Sequence, residues 1–131
     1  MIQTANQAYQ KNKFETASPG ELTLMLYNGC LKFMKLSKEA ISNNQIEVRN
    51  LNLTKAQNII RELMVTLKTD GEVGQNMLKM YDYILHQLTQ ANINNDIKAI
   101  EEAEQYVTQF RDTWKEVILI NRQRQHGGGQ A

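Results

Sequence analysis

Apolar side chains recur three and four residues apart in four successive stretches of the chain, and no stretch alternates polar with apolar over a useful length. This spacing lays one apolar stripe along each of four helices, and a helix striped in this way must bury the stripe against others. The stripes are Leu22, Met25, Leu26, Gly29, Phe33, Leu36 and Ala40; then Ile46, Leu53, Ala56, Ile60, Leu63 and Leu67. The third holds Val73, Met77, Tyr81, Ile84, Leu88 and Ala91, and the fourth Ile97, Ile100, Ala103, Val107, Phe110, Trp114 and Val117. Each helix is then roughly 20 to 25 residues, about 30 to 38 Å at 1.5 Å per residue. The breaks at Asn43-Asn44, at Thr69-Asp70-Gly71-Glu72 and from Asn92 to Asn95 are short, which makes sequential neighbours antiparallel. The expected fold is all-α, an antiparallel up-down-up-down four-helix bundle with a short N-terminal arm.

The first helix has the clearest boundary. Ser18 can accept from the unpaired N–H groups of a first turn, and Pro19, the single proline, falls where its fixed φ suits a helix. Glu21 completes an S-x-x-E capping box, with Ala17 and Leu22 placed as a small staple. Residues 1–15 stand apart as the arm, 16–120 form the bundle, and 121–131 read as a flexible tail ending in Gly127-Gly128-Gly129. At the other boundaries, the second helix spans about Ile46 to Lys68, with Asp70 as N-cap of the third. The third runs about Val73 to Ala91, and Asn94 or Asn95 caps the fourth, with Asp96 at its positive end. The arm is polar except for Ile2, Ala5, Tyr9 and Phe14; it is either a frayed tail or a segment that lies back on the body.

With 131 residues the chain is long enough to bury a real core in one domain. A net charge of +1 gives no reason to expect a nucleic-acid partner. The single cysteine, Cys30, excludes an internal disulfide and suits a reducing compartment. Residues 1–13 lack the apolar core of a signal peptide, and no window approaches eighteen apolar residues, so a cytosolic protein without membrane insertion is expected.

Catalytic constellations are missing. Di-iron bundles need Glu-x-x-His pairs, and neither His86 nor His126 has a Glu three residues before it. Asp82 and His86 can share a helix face, but a metal site needs three or four ligands, so they read as a surface pair, with no metal and no cofactor. Cys30 lies in an apolar stretch, as a small core residue does. The acidic run Glu101-Glu102-Ala103-Glu104 reads as a solvated face early in the fourth helix. The balance favours a binding protein over an enzyme.

Leu24, Tyr27, Leu31, Ile59, Met64, Leu78, Met80 and Leu85 lie off the four stripes, which is more apolar surface than four helices hide among themselves. Methionine adapts to irregular shapes and recurs on surfaces that accept helical partners.

The run Tyr9…Thr16-Ala17-Ser18-Pro19-Gly20-Glu21-Leu22…Met25-Leu26-Tyr27-Asn28-Gly29 resembles the flagellar export chaperone family FliS. Ala56-Gln57-Asn58-Ile59-Ile60, Leu78-Lys79-Met80-Tyr81-Asp82-Tyr83, Leu88-Thr89-Gln90-Ala91-Asn92, Asn95-Asp96-Ile97-Lys98-Ala99-Ile100-Glu101-Glu102 and Thr113-Trp114-Lys115 continue the likeness in order. It extends from Tyr9 to about Val117, with Cys30 where many relatives carry another small residue. The resemblance implies a cytosolic bundle that binds the disordered C-terminal segment of flagellin. The segment becomes helical on the bundle, cannot polymerise prematurely, and is passed to the flagellar type III export gate. The same resemblance gives the arm a role, lying over part of the groove when the client is absent.

Placed chiefly on the second and third helices, the groove has Ile59, Ile60, Leu63, Met64, Met77, Leu78 and Tyr81 as candidate contacts, with Tyr9 and Phe14 from the arm. Helical phase does not separate groove from core among these. The alternative is a self-associating helical bundle with a regulatory or structural role; the expected state is a monomer or weak dimer.

Overall fold

Ser18 opens the first helix from extended backbone, φ −65° and ψ 159°, and its Oγ accepts from the Glu21 N–H at 3.2 Å. In the computed structural model, which describes residues 18–128 with side chains to 125, four helices follow. They are α1 (Pro19–Ser42), α2 (Ile46–Thr66), α3 (Glu72–Asn94) and α4 (Ile97–Gly128). Tyr9, Phe14 and the Ala17 half of the staple lie outside the described residues. Each helix packs on the next and α4 closes the ring on α1, as the up-down-up-down order requires.

Every helix differs from the sequence expectation at one boundary or more. Glu21 does not reach back to complete the capping box; its Oε1 instead accepts from Arg122 Nη2 at 2.7 Å. This pair joins the start of α1 to the late part of α4, and residues 121–128, expected as tail, are helical. The run Asn121-Arg122-Gln123-Arg124-Gln125 holds no proline and its Arg and Gln residues are good helix formers. Asn95 ends α3 in the left-handed region, φ 53°, where Asn is tolerated. Asp96 takes over the capping of α4, its Oδ1 accepting from the Ala99 N–H at 3.2 Å. Asp70 is not the cap of α3, since Gly71 occupies that position.

The connection from Leu67 to Gly71 passes so close to α3 that a Cβ at Gly74 would lie 1.8 Å from the Lys68 carbonyl oxygen. That contact requires glycine for space, not for conformation. It also explains why α2 ends at Thr66, short of the expected Lys68: the chain turns extended at Leu67 to cross over Gly74.

Burial corrects the phase of α1. Its inward face is Tyr27, Cys30, Met34, Ser37 and Ala40, whereas Leu22, Met25 and Leu36 of the expected stripe stay at least partly in solvent. Small residues decide this. The Cys30 thiol lies 3.7 Å from the Ala56 carbonyl oxygen, and a Cβ at Gly29 would sit 3.4 Å from Ile59 Cδ1, so α1 and α2 approach closely. Ser37 and Asn52 return their polar groups to their own helices, donating to the Phe33 and Val48 carbonyls at 2.8 Å each. The other stripes keep their expected centres: Leu53, Ala56, Ile60 and Leu63; Tyr81, Ile84, Leu88 and Ala91; Ile100, Ala103 and Val107 are all buried.

Two predictions follow from this packing. Alanine at Gly74 should gain about 1 kcal/mol in helix propensity, but overlap with immobile backbone outweighs it. Urea denaturation of Gly74→Ala should show a net loss at the upper end of about 1–3 kcal/mol, and a stabilised variant would contradict the close approach. Burial also pushes the Cys30 thiol from the ordinary 9.0 up to about 12. The unfolded chain releases this proton near 9 and the folded one only near 12, so the native state holds the proton more tightly. Stability is therefore unaffected below about pH 9 and falls as pH rises from about 9 to 12. Tyr27 and Tyr81, raised above the phenol range chiefly by burial, act with the same sign. Urea midpoints should be level between about pH 6 and 8 and fall by about pH 10.5, with a smaller fall in Cys30→Ala.

Candidate functional site

At the end of the bundle where α1 and α3 begin, the core opens into an apolar pocket of about 500 Å³. Its floor is Tyr27 and Tyr81, with Leu63 beside them. Leu67 and Met77 form walls, Val73 stands on the rim, and Trp114 reaches in from α4. All four helices contribute, because this is where their ends diverge around the Leu67–Gly71 connection.

Hydrogen bonding holds the floor. The Tyr27 and Tyr81 hydroxyls lie 2.7 Å apart, each supplying the other's buried partner across the diagonal of the bundle. Phe110 of α4 stacks near Tyr27, with ring centroids 6.3 Å apart, and meets Tyr81 edge-on at 5.6 Å. Both phenols are held above their ordinary range, first by burial, and stay protonated across physiological pH. Trp114 is fixed in turn by its indole N–H, which donates to the Gly20 carbonyl at 2.7 Å. The pocket is thus a rigid apolar seat with little charge on its floor.

The α2–α3 seam changes character along its length. Next to the pocket, Met64, Met77, Leu78 and Leu85 are partly exposed. Farther along, Gln57 donates to Thr89 at 3.1 Å, and Asn92 donates to Asn50 at 2.9 Å while accepting from Arg49 Nε at 3.0 Å. Arg49 also donates to Asn95 Oδ1, so a polar clamp closes the far end. Between α3 and α4, Tyr83 and Gln87 both donate to Glu102, and the carboxylate partner raises the Tyr83 phenol.

The expected contact residues divide into three sets. Met64, Met77 and Leu78 lie at the surface of the α2–α3 seam, where the groove was placed. Ile60, Leu63 and Tyr81 are buried; Leu63 and Tyr81 still line the pocket floor, while Ile60 is pure core and offers a partner nothing in this conformation. Ile59 faces α1 across Gly29, on the opposite side of α2, so it does not share the seam with Met64. Trp114, Val73 and Leu67 were read as stripe residues and missed as pocket residues. The signal available was their position: each lies at or next to the end of its stripe, and the antiparallel order brings those ends together.

Asp82 and His86 are both exposed on α3, and among the described residues no three His, Cys, Asp or Glu side chains converge on one point. Among the same residues, no helix is long and apolar enough to cross a membrane.

The pocket and seam sit on a fold with known counterparts. A crystal structure described as a flagellar chaperone from bacteria superposes with a TM-score of 0.71 at 21% identity, covering 90% of this chain and 98% of that one, which shows a shared fold. In sequence, the flagellar secretion chaperone FliS of Bacillus subtilis is 54% identical over 98% of this chain and 96% of its own length. The flagellar secretion chaperone FliS of Escherichia coli is 34% identical over 86% of this chain and 88% of its own. The sequence profile of the flagellar protein FliS matches residues 1–121. With a profile match across the bundle and a relative identical at more than half its positions, the chain belongs to the FliS family of flagellar proteins.

Proposed function

We propose that the protein is a flagellar export chaperone that binds the disordered C-terminal segment of flagellin in the cytosol. In this reading it prevents premature polymerisation and delivers the subunit to a component of the flagellar type III export gate. The observation that carries it is the half-exposed apolar surface running from the four-helix pocket onto the α2–α3 seam, on a scaffold whose buried polar groups are satisfied among the described residues. Such a surface suits an amphipathic helix that folds as it docks. A coupled-folding client of this kind buries ~1,000–3,000 Å², which offsets the entropy of ordering it. In this reading the protein works by binding: Cys30 is buried with its thiol pushed up to about 12 by burial, and the Tyr27 and Tyr81 hydroxyls are engaged with each other.

Met64, Met77, Leu78 and Val73 would meet the client, with Leu63, Tyr81, Tyr27 and Trp114 shaping the seat beneath. Ile59, on the α1 side, would be reached only by a client that wraps past α2. Tyr9 and Phe14 belong to an arm, residues 1–15, that would cover part of the surface when no client is bound.

Flagellin should co-purify with the protein, and flagellin lacking its C-terminal segment should not; equal recovery of the two would place the contact elsewhere. Val73 is 74% exposed on the rim, so Val73→Asp should leave the helical circular dichroism unchanged while weakening a flagellin C-terminal peptide about tenfold or more. Ile93, 69% exposed at the far end of α3, provides the control: Ile93→Asp should change affinity less than about twofold. Calorimetry on Tyr9→Ala should show an altered enthalpy and affinity for the same peptide. Unchanged values would remove Tyr9 from the site.

A further inference from the structure

Among the described residues, the uncharged side chains lining the pocket that have an N–H or O–H to give are Thr23, Tyr27, Thr66, Tyr81 and Trp114. Three of these hydrogens are committed within the chain. Thr23 donates to the Pro19 carbonyl at 3.2 Å, Thr66 to the Leu63 carbonyl at 3.0 Å, and Trp114 to the Gly20 carbonyl at 2.7 Å. Among the described residues, the Tyr27 and Tyr81 hydroxyls have only each other.

That pairing satisfies both oxygens and still leaves something over. Burial keeps both phenols protonated at neutral pH, so the pair carries two hydrogens, and the bond between the oxygens uses one. The phenol that accepts keeps its own O–H, with no acceptor among the described residues. The phenol that donates keeps lone pairs that receive nothing from them. An unused donor and an unused acceptor therefore stand 2.7 Å apart on side chains only 3% and 2% exposed. Phe110 packs on both rings but has no polar atom to offer, and the pocket is the open space that both rings border. A ligand that fills such a floor without bonding to it strands the O–H, whereas one that completes the pair is selected.

We propose that the floor of the pocket is a carboxamide seat and, resting on the client reading above, that the client side chain entering it is a glutamine or asparagine. The amide C=O accepts the spare phenol hydrogen, and its NH2 donates to the other phenol oxygen. Either phenol can be the donor, so the amide turns to match whichever order the pair adopts. An aliphatic side chain of similar size fills the space but leaves the O–H bare. A carboxylate accepts the hydrogen but carries its charge into an apolar pocket, where Lys68 and Asp70 on the lining offset each other. Glutamine has the longer apolar stem to pass Leu67 and Met77, and is the better fit of the two amides.

Pentanamide tests the seat without flagellin, because Trp114, the single tryptophan, lines the same pocket and reports occupancy by its fluorescence. The full chain should respond to it saturably, and about tenfold more tightly than to pentanoate. Tyr27→Phe with Tyr81→Phe removes both hydroxyls together and strands neither; this double variant should keep its helicity and bind pentanamide about tenfold more weakly. In the flagellin C-terminal peptide, one Gln→Met or Asn→Leu replacement should weaken binding about tenfold to the original chain and less than about twofold to the double variant. No saturable response to pentanamide, equal affinity for pentanoate, or undiminished affinity in the double variant would overturn the proposal, whether or not flagellin binds. A peptide that binds with no amide replacement coupled to the phenols would also overturn it. Pentanamide binding as expected without any binding of the peptide would support the seat and overturn the client reading.

Discussion

Two phenolic oxygens buried on the diagonal of a helix bundle have few ways to be satisfied, and here each is the other's solution. An isolated buried hydroxyl costs roughly 1–3 kcal/mol, so loss of either Tyr27 or Tyr81 strands its partner and costs more than the bond itself is worth. The pair also does geometric work that neither ring could do alone. It sets the separation of α1 and α3, helices that otherwise meet only through their common neighbours. With that separation held, Phe110 fills the space below and the pocket remains open above. The apolar seat is thus a consequence of how the core terminates.

The two ends of the α2–α3 seam show the same logic with opposite chemistry. Arg49, Asn50, Asn92 and Asn95 are joined by three hydrogen bonds, and a docking helix that broke them would have to replace them. Met64, Leu78 and Leu85 make no such demand; covering them releases water and leaves nothing unpaired. In the proposed reading, an apolar partner would prefer the half of the seam beside the pocket, where no hydrogen bonds have to be replaced. Methionine at two of the partly exposed positions, Met64 and Met77, would suit the proposed client, a segment with no fixed shape of its own.

Much of the fold was legible because helical period and capping are local. Ser18 and Pro19 marked a boundary from four residues, and the stripes of α2, α3 and α4 named the buried centres Ile60, Ile84 and Val107. The phase of α1 was not legible, since its apolar surface wraps most of the way round. Which face turns inward depends on Gly29 and Cys30 being small enough for α2 to come close, a property of the pair and not of either helix. The same limit governed the site. Ile60 and Met64 are four residues apart on one helix, yet one is sealed and the other partly in solvent, because Leu63 carries the buried stripe on from Ile60 and turns Met64 towards the seam. Gly74 reads as an ordinary weak point in a helix until Lys68 is found where its side chain would have to be.

Three features converge at one end of the molecule: the pocket, the point where residues 1–17 enter α1, and the late part of α4. The opposite end is held by left-handed Asn44 and Asn95 and by the Arg49 clamp, although Ile46, Leu51 and Ile93 are exposed there. Asymmetry of this kind follows from connectivity. Tight Asn turns can close one end of an antiparallel bundle twice, at α1–α2 and α3–α4, while at the other end α1 starts, α4 runs out and a single connection joins α2 to α3. The single connection, Leu67 to Gly71, must cross alone, and it does so by pressing on Gly74 and leaving the space beside it open. In the proposed reading, binding at that end would need no specialised insertion. It arises where an up-down-up-down chain has one linker too few to seal its own core, and Ser18, Trp114 and Glu21 keep that opening at constant shape by tying α1 to its first turn and to α4.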